Sequence, residues 1–580
     1  MTWFNDYPHY LQEEEDALKK EGFSYSIDEV ARSKGRLVIT VSYPIGSEHH
    51  ELICSYPASY PFFSPKVLAP TLPPGRHIDP YHGGLCLFEN EQSVWDAHHD
   101  NLANTLKVQI PKILKAHESP EHASDIEGNV GYQVTGQIKY EEISVIFTDA
   151  WDIPDNVSSG EMLIKLTEGC NSQTPVSGFV DSFSAGKGPV QTSSSPLEPF
   201  YNAKVKCQWV KLDAPPASIS DDEVLKEAIA ICPQIEHPIF QKKGLDIVGL
   251  VFPEESDYHK IVFNWIFIIR RKLKKTGAKQ LKKQFVTKII RSDRYTLDNI
   301  QQRVPRLRAI ADKNVLVIGA GALGSNVIWQ LARTGVQSLT IIDYDIVQVG
   351  NIPRWLLGFH AVGRFKVEVI KAYLTQSFPG IKCTYHNFQV GIHAEIPVSD
   401  TASVDAHDFL VDTIQKSDLV IDCTAETNVS NYLSHLSNSE NTPYIWATAT
   451  QGGWGGIVGR AIPNITEGHW IDFSYLYANN TIPEPAAEEG SDIQPVGCFH
   501  PTFTGTGFDL DHVSVMATRL AVATLCQGQE EGYPDFDWDV GVLSLWDEQS
   551  GIPIAPRWEI CKLEKHTGSR NEDFTDTLDK

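Results

Sequence analysis

The segment NVLVIGAGALGS at residues 314–325 constrains the fold more than any other stretch of the chain. Its apolar run predicts a buried strand, and Gly319, Gly321 and Gly324 follow in the spacing G-x-G-x-x-G. A glycine-rich turn between a strand and a helix lets backbone N–H groups approach a phosphate. Asp343 stands about 20 residues further on, where an acid contacts ribose hydroxyls. The turn therefore predicts a nucleotide site, and NAD and ATP both fit it.

Strand and helix patterns alternate through residues 290–580. Strands are predicted at NVLVI, SLTII, DLVID and YIWAT, and helices are predicted near 322–334 and 362–378. This alternation predicts an α/β fold with a parallel sheet that is covered by helices on both faces.

The residues after Asp343 favour ATP over NAD. Several polar side chains follow it closely: Asp345, Asn351, Arg354 and Lys366. Adenylation needs cations such as Arg354 and Lys366, because negative charge builds on the α-phosphate as pyrophosphate leaves. Hydride transfer does not need several cations beside the phosphates. Asp422 ends the predicted strand DLVID, at the sheet edge where such folds bind ligands, and it is predicted to hold Mg²⁺.

Together, the motifs D-x-D, N-x-x-R, G-x-x-K and D-C-T resemble the ubiquitin-activating (E1) and ThiF/MoeB adenylation domains. The resemblance covers residues 290–580 and implies a Rossmann-like domain that uses ATP and Mg²⁺. It implies phosphate binding by Gly319, Gly321 and Gly324, ribose binding by Asp343, nucleotide binding by Asp345, contacts to the triphosphate and transition state by Asn351, Arg354 and Lys366, and metal binding by Asp422.

The chain departs from this family in two places. Trp355 stands where the family usually has Gln after the arginine, and the C-x-x-C pairs of many members are absent, so no structural zinc is predicted. Domains of this kind commonly dimerise, so a homodimer is expected. Arg291 or Arg294 would then either reach the partner subunit's site or lie on the surface.

An activating enzyme also needs a thiol that takes the acyl group from AMP. Cys498 is the best candidate, because QPVGCFHPTFTGTG reads as a loop ahead of a helix predicted near Asp511. His500 or the helix N-terminus could lower the pKa of this thiol. A similar loop occurs in activating enzymes that are fused to conjugating domains. Cys423 and Cys526 are predicted to be core residues.

The N-terminal region supplies a second candidate thiol. YPFFSPKV at 60–67 resembles the YPFKPPKV signature of ubiquitin-conjugating (E2) enzymes, and RHIDPYHGGLCL resembles their active-site stretch. Trp95 matches the Trp that follows the family cysteine. The resemblance covers residues 1–125 and implies an α+β conjugating-enzyme-like (UBC) fold with Cys86 as nucleophile. The family's oxyanion-stabilising Asn is missing, and the chain offers instead His77, Asp79 and His82.

Residues 126–289 form a mixed α/β middle region between these domains. IVFNWIFII at 261–269 is too short to span a bilayer and predicts a buried strand, and Ser182–Pro199 predicts a loop. The basic segment RRKLKKTGAKQLKKQ at 270–284 is either a solvated helix face or a docking surface for an acidic partner.

Charge and cysteine usage restrict the classes of partner. The chain has 580 residues and a formal net charge of −25, which disfavours nucleic acid and anionic membranes because both are polyanions. Ten cysteines without a disulfide pattern predict reduced thiols and a cytoplasmic location.

The order of the domains resembles the fused activating–conjugating proteins of bacterial anti-phage CBASS operons. That family attaches the C-terminus of a cGAS-like nucleotidyltransferase to targets, which implies adenylation, a thioester on Cys498 and transfer to Cys86. The alternative is a ThiF/MoeB-type adenylyltransferase for a sulfur-carrier or ubiquitin-like protein, with a passive N-terminal adaptor. An NAD-binding Rossmann protein and a pure scaffold also stay open.

Overall fold

The computed structural model divides the chain into two packed units, residues 1–296 and 297–580. It describes residues 2–73, 75, 77–88, 95–118, 133–134, 138, 144–186, 188–193, 196–241, 244–257, 260–273, 285–399, 401–466, 482–488, 492–493, 502–547 and 549–563. No helix within these described ranges is long and apolar enough to cross a membrane.

The first unit begins with helices around an antiparallel sheet. The helices are α1 (Trp3–Asp6), α2 (Pro8–Lys20), α3 (Glu29–Ser33) and α4 (Leu102–Glu118). The sheet has the order β1-β2-β3-β4, with β1 (Ser24–Ile27), β2 (Val38–Ile45), β3 (Glu48–Ser55) and β4 (Lys66–Leu68). Alternate residues of β2 are buried, as the period of a half-buried strand requires, and they pack beneath α2 and α4.

A buried carboxylate connects this part of the unit. Glu14 on α2 is only 1% exposed and accepts hydrogen bonds from the hydroxyls of Tyr56 and Tyr60. Its Oε2 also accepts from the Leu102 backbone N–H at 3.1 Å, which satisfies one of the unpaired donors at the start of α4. Burial raises the pKa of Glu14 above its ordinary value, although these donors act in the opposite direction.

The rest of the first unit is a sheet that closes on itself. Its strands are β5 (Val145–Thr148), β6 (Ser159–Leu166), β7 (Ser177–Ala185), β8 (Val190–Thr192), β9 (Ala203–Lys211), β10 (Leu245–Asp257), β11 (Lys260–Lys272) and β12 (Phe285–Arg294). The order is β5-β12-β11-β10-β9-β6-β7-β8, and β5 also pairs with β7. The strands β5–β7 and β9–β12 therefore form a barrel, whose interior is filled by apolar and aromatic side chains.

A second apolar cluster lies on the outer face of the barrel, and we call it the outer core. Helix α5 (Asp221–Ile231) contributes Val224 and Ala228 to it, and the strands contribute Val210, Leu250 and Ile268. Short 3₁₀ turns at Glu198–Phe200 and Pro233–Ile235 complete the described part of this region.

The barrel confirms one prediction and corrects two others. The segment 261–269 is a strand, as expected, and it is buried over residues 265–269, whereas Ile261 is exposed. The predicted loop Ser182–Pro199 instead holds the end of β7 and the whole of β8. The basic segment begins in β11 rather than on a helix face, and Arg270 is buried with its guanidinium 2.6 Å from Asp246. Residues 274–284 of that segment lie outside the described residues.

The second unit contains a large mixed sheet and further short strands. Its strands are β13 (Asn314–Ile318), β14 (Ser338–Ile342), β15 (Lys382–His386), β16 (Glu395–Ser399), β17 (Ala402–Asp405), β18 (Leu419–Asp422), β19 (Tyr444–Ala449), β20 (Gly455–Ala461), β21 (Asp492–Ile493), β22 (Thr502–Phe503), β23 (Val540–Asp547) and β24 (Ile552–Cys561). Its helices are α6 (Leu297–Gln301), α7 (Ala322–Thr334), α8 (Lys366–Ser377), α9 (Ala406–Gln415), α10 (Thr427–Ser439) and α11 (Gly507–Leu525). The 3₁₀ turns are at Pro305–Ile310, Val349–Asn351, Phe359–Ala361 and Gln451–Gly453.

The main sheet has the order β15-β14-β13-β18-β19-β20-β23-β24. The run from β15 to β19 is parallel, and β20, β23 and β24 continue it antiparallel. One apolar cluster lies on each face of the sheet, as the predicted α/β arrangement requires. The carboxyl ends of β13, β14, β18 and β19 meet at one edge of this sheet.

Two helices begin at positions that differ from the prediction. Helix α8 begins at Lys366 rather than near residue 362, because Gly363 has φ +83 and breaks the helical path. Helix α11 begins at Gly507 rather than near Asp511, because the Thr506 side chain accepts a hydrogen bond from the Asp509 N–H.

Candidate nucleotide site and cysteine nucleophiles

The glycine-rich turn lies between β13 and α7. Gly319 has φ +85, and a Cβ there would stand 2.8 Å from the Cys423 carbonyl. A Cβ on Gly324 would stand 1.8 Å from the Gly319 carbonyl oxygen, so this glycine is required for close packing. Gly321, the residue before α7, has open space where its Cβ would be. A phosphate can therefore approach the backbone there, next to the N-terminus of a helix.

Two acids after β14 contact this turn and the following helix. Asp343 Oδ2 accepts from the Ala320 N–H at 2.6 Å, and its Oδ1 accepts from the Asp345 N–H at 2.7 Å. Asp345 Oδ2 accepts from Lys366 Nζ at 2.7 Å. Burial raises the pKa of the Asp343 carboxyl, and the Lys366 charge partly offsets that rise. Lys366 is only 7% exposed, so its charge is held in one place.

A cleft of about 140 Å³ gathers several of the predicted residues. Its lining includes Gly319, Gly321, Asp343, Asp345 and Lys366. The sequence reasoning missed other members of the lining: Tyr344, Phe388, Gln389, Thr424 and Glu426. Tyr344 directly follows Asp343, and Thr424 stands two residues after Asp422, which was the available signal for them. Gly324, Asn351, Arg354 and Asp422 are not part of the lining that the structure describes.

The loop that carries Asn351 and Arg354 is anchored to the glycine-rich turn. Asn351 Oδ1 accepts from the Gln348 N–H at 2.9 Å and caps a 3₁₀ turn. Trp355 Nε1 donates to the Ala320 carbonyl at 2.8 Å, so the residue that departs from the family pattern connects the two loops. Arg354 is half-buried, burial lowers the pKa of its guanidinium, and its backbone contacts the start of α11 at Gly507.

Asp422 is placed differently from the other predicted site residues. It ends β18 as predicted, but it is 1% exposed. Its Oδ1 accepts from the N–H and the hydroxyl of Thr424, and its Oδ2 accepts from the hydroxyls of Ser430 and Tyr444. These four bonds use about the full acceptor capacity of a carboxylate. In this conformation Asp422 would bind a cation only after releasing a donor.

The donor set next to the cleft suits Mg²⁺ in one respect. Mg²⁺ usually takes one or two carboxylates and completes its shell with water and substrate phosphates. The described residues contain no cluster of three or more metal-ligating side chains. Asp345 lines the cleft with a half-exposed carboxylate, so this residue fits the requirement more directly than Asp422 does.

The arginines proposed for a partner subunit lie on a strand and not on a helix. Arg291 and Arg294 belong to β12. Arg291 forms an ion pair with Asp293, and Arg294 Nη2 donates to the Phe263 carbonyl at 2.7 Å. Both guanidinium groups therefore have partners within the first unit.

Cys498 and His500 lie outside the described residues, but the ends of their segment are placed. Ile493 in β21 pairs with Thr502 in β22. Gly505, just beyond β22, closely approaches Gly453 in the 3₁₀ turn that follows β19. The described residues on either side of this segment therefore lie near the 3₁₀ turn that follows β19.

Cys86 lies at the base of a folded-back loop that follows β4. Its N–H donates to the His77 carbonyl at 2.9 Å, and the Leu85 N–H donates to the Val67 carbonyl at 2.8 Å. The thiol is half-buried, with Sγ 3.4 Å from the Phe88 carbonyl. Trp95, the other residue matched to the conjugating family, is buried and donates to the Pro61 carbonyl at 2.7 Å.

The substitutes for the missing family Asn lie in different surroundings. His77 and Asp79 are buried, and His77 has φ +63, whereas His82 is exposed. Asp79 accepts from the Tyr81 N–H at 2.9 Å. Cys423 and Cys526 are buried, which confirms them as core residues, and burial raises the pKa of the Cys423 thiol.

Comparisons with known proteins agree with this geometry. Residues 294–507 match the model of the ThiF family. The "Uncharacterized protein y4oA" of Sinorhizobium fredii is 27% identical, over 98% of this chain and 97% of its own length. The "ATP-dependent ubiquitin transferase-like protein Cap2" of Enterobacter hormaechei is 26% identical, over 40% of this chain and 36% of its own length. The "Molybdopterin-synthase adenylyltransferase" of Escherichia coli is 34% identical, over 24% of this chain and 51% of its own length.

The matched region contains the glycine-rich turn, Asp343, Asp345 and Lys366. The part of its sheet from β15 to β19 has the parallel, Rossmann-like arrangement that was predicted, whereas the antiparallel strands β20, β23 and β24 were not predicted. The chain therefore carries a ThiF-type, E1-like domain that is related to adenylyltransferases.

Proposed function

We propose that the chain is an ATP-dependent, ubiquitin-like transferase that adenylates the C-terminal carboxylate of a partner protein. The observation that carries the proposal is the cleft in which Gly321 leaves room for phosphate beside the Lys366–Asp345 pair. A desolvated cation held against a phosphate stabilises the charge that develops there. Arg354, on the loop that Trp355 anchors, is the second cation for this role.

In this proposal the carboxylate oxygen attacks the α-phosphorus of ATP, and the bond to the β-phosphate breaks as pyrophosphate leaves. Mg²⁺, when bound with ATP, would neutralise phosphate charge, and Asp345 is the carboxylate that would hold it. Asp343 accepts hydrogen bonds from the ribose. Lys366 and Arg354 hold the phosphate oxygens in place.

The acyl group then moves between two thiols. The Cys498 thiolate attacks the acyl carbon of the adenylate, and AMP leaves. The Cys86 thiolate attacks that thioester and releases Cys498, and an amine on a target finally displaces Cys86. Three observations support this order: the described residues on either side of the segment with Cys498 near the 3₁₀ turn that follows β19, the half-buried Cys86 loop and the similarity to Cap2.

The partner is proposed to be a cGAS-like nucleotidyltransferase or a ubiquitin-like protein. The division into a conjugating-like domain (1–125), a middle domain (126–289) and an adenylation domain (290–580) belongs to the same proposal, as do the homodimer and the cytoplasmic location. A tethered Cys86 would raise its effective concentration near Cys498. The second candidate function is adenylation alone, for a sulfur-carrier or ubiquitin-like protein, and the match to an adenylyltransferase over 24% of the chain favours it.

ATP–pyrophosphate exchange with candidate carrier proteins tests the first step. Arg354→Ala should reduce the exchange rate by about 10²-fold, the usual effect of removing one preorganised donor. Arg364→Ala is the matched control, because Arg364 is exposed and pairs with Glu368. Equal exchange rates in the two variants would contradict the adenylation proposal.

A further inference from the structure

The loop that carries Cys86 folds back on itself, with Tyr81 at its tip. The His77 carbonyl accepts from the Cys86 N–H, and the Asp79 N–H donates to the Gly84 carbonyl at 2.8 Å. The Gly83 carbonyl in turn accepts from the Ala69 N–H at 2.7 Å. These bonds join the tip to the base, so a displacement at Tyr81 is passed to Cys86 through a short, bonded loop.

The backbone of this loop is bonded to β4 and the residue after it, whereas the Tyr81 side chain at its tip contacts the barrel region. Tyr81 packs against the outer core, the cluster of Val224, Ala228 and their neighbours between α5 and the barrel. Its hydroxyl donates to the Pro216 carbonyl at 3.0 Å. Burial, with Glu254 as the next cause, raises the pKa of Tyr81 to about 12, so the hydroxyl stays a donor at neutral pH.

We propose that Tyr81 is a positioning residue for Cys86, through which the outer core of the middle region sets how readily the Cys86 thiol reacts. The inference rests on the proposed function, because it assumes that Cys86 carries the acyl group. Tyr81 touches no reacting atom and acts only by fixing the loop from His77 to Cys86. The middle region would then take part in the transfer chemistry and would not merely separate the two ends of the chain.

The rate at which iodoacetamide alkylates Cys86 tests the inference, and peptide mass spectrometry of the full-length protein reads that rate. The assay needs neither ATP nor a partner, so its outcome is independent of whether adenylation occurs. Tyr81→Ala should raise the alkylation rate about fivefold or more, the factor that corresponds to one hydrogen bond of ordinary net strength. Tyr81→Phe loses the same hydrogen bond but keeps the ring, so it should raise the rate about fivefold, and Tyr81→Ala should raise it further because the ring contacts are also lost.

Val224→Ala is the decisive variant, because it changes the outer core and leaves the sequence of the loop from 77 to 86 intact. It should raise the Cys86 alkylation rate in the same direction as Tyr81→Ala. Val180→Ala, in the barrel interior, and Tyr43→Phe, on β2, are matched controls that should leave the rate unchanged. Hydrogen exchange of the amides from 77 to 86 should become faster in Tyr81→Ala and Val224→Ala and should not change in the two controls.

Two results would overturn the inference. One is an unchanged alkylation rate in a cooperatively folded Tyr81→Ala variant. The other is a change in Tyr81→Ala without any in Val224→Ala, since the tip would then act locally and not through the outer core. If Tyr81→Ala does not fold, Tyr81→Phe decides, and equal rates in this variant and the parent would have the same meaning.

Discussion

Lys366 Nζ lies 2.7 Å from Asp345 Oδ2, and the Lys366 backbone N–H donates to the Asp345 carbonyl at 3.0 Å. The side-chain pair and the backbone bond fix the start of α8 against the loop that follows β14. A lysine this buried needs such a partner, because an unpaired buried charge is costly. A nucleotide phosphate arriving in the cleft would therefore meet a cation that is already oriented.

Removing the Lys366 ammonium should strongly slow adenylation without unfolding the domain. Lys366→Ala is expected to lower ATP–pyrophosphate exchange by about 10²- to 10³-fold. Lys371→Ala, on the same helix with its ammonium over the Tyr385 ring, should stay close to the parent rate. Thermal unfolding of both variants checks that they fold. A Lys366→Ala variant with normal exchange would show that this cleft is not the site.

The glycines of the turn should separate binding from folding. Gly321→Ala fills open space at an ordinary φ of −75°, so it should fold normally but bind ATP more weakly. Gly324→Ala forces a methyl group against the Gly319 carbonyl and should reduce the free energy of unfolding by about 1–3 kcal/mol. Calorimetric ATP titration and thermal unfolding measure the two effects. If both variants lost stability equally, the space at Gly321 would have no ligand role.

Cys86 should be required for conjugation and dispensable for adenylation. Cys86→Ala is expected to remove target conjugates while exchange continues, and Cys86→Ser should trap an ester visible by intact mass. Cys561→Ala is the control, because this cysteine is also half-buried and burial raises its pKa to about 11. Conjugates that persist in Cys86→Ala would leave adenylation alone as the function.

Glu14 should make stability depend on pH in a predictable direction. Burial raises its pKa in the folded state, so the folded protein holds this proton more tightly than the unfolded chain. The associated stability is complete below the ordinary pKa of 4.5 and is lost as pH rises through the folded pKa. The free energy of unfolding of the parent, relative to Glu14→Gln, should therefore fall above pH 4.5, by at most about 1.4 kcal/mol per pH unit.

Denaturant unfolding at several pH values measures this difference. Glu13→Gln, which changes the exposed neighbour on α2, should show no comparable trend. A relative stability that rises with pH would mean that the hydrogen bonds from Tyr56 and Tyr60 outweigh the burial of the carboxylate.

Much of the fold of residues 290–580 was predictable, because the local hydrophobic pattern there matches the place of each strand in the sheet. The apolar residues 315–318 of β13 are buried on both faces, so their lack of alternation signals a central parallel strand. Asp345 and Lys366 were each predicted as site residues from the motif, but the ion pair between them was not predicted. The surroundings of Asp422 were not visible, because Tyr444 reaches it from the neighbouring strand, and sequence spacing carries no information about which strands are neighbours.

The barrel could not be predicted from the sequence either, because the spacing of strands does not show which of them pair. Its closure depends on Val145 pairing with both Ser177 and Arg291, and neither partner is close in sequence. β8 was hidden by its composition, since Val190–Thr192 lies among glycines and serines that favour loops. The charge of Arg270 predicted either a solvated helix face or a docking surface, although Asp246 across the strand pair neutralises it inside the protein.

The pairing of β5 with β12 has a mechanical consequence. The first and last strands of the barrel run parallel, with Val145 opposite Arg291 and Thr148 opposite Arg294. Tension between the chain before β5 and the chain after β12 would pull these strands along their length in opposite directions. The hydrogen bonds between them would share that load in shear and would not break one after another. The barrel is thus a connector that resists stretching along the chain.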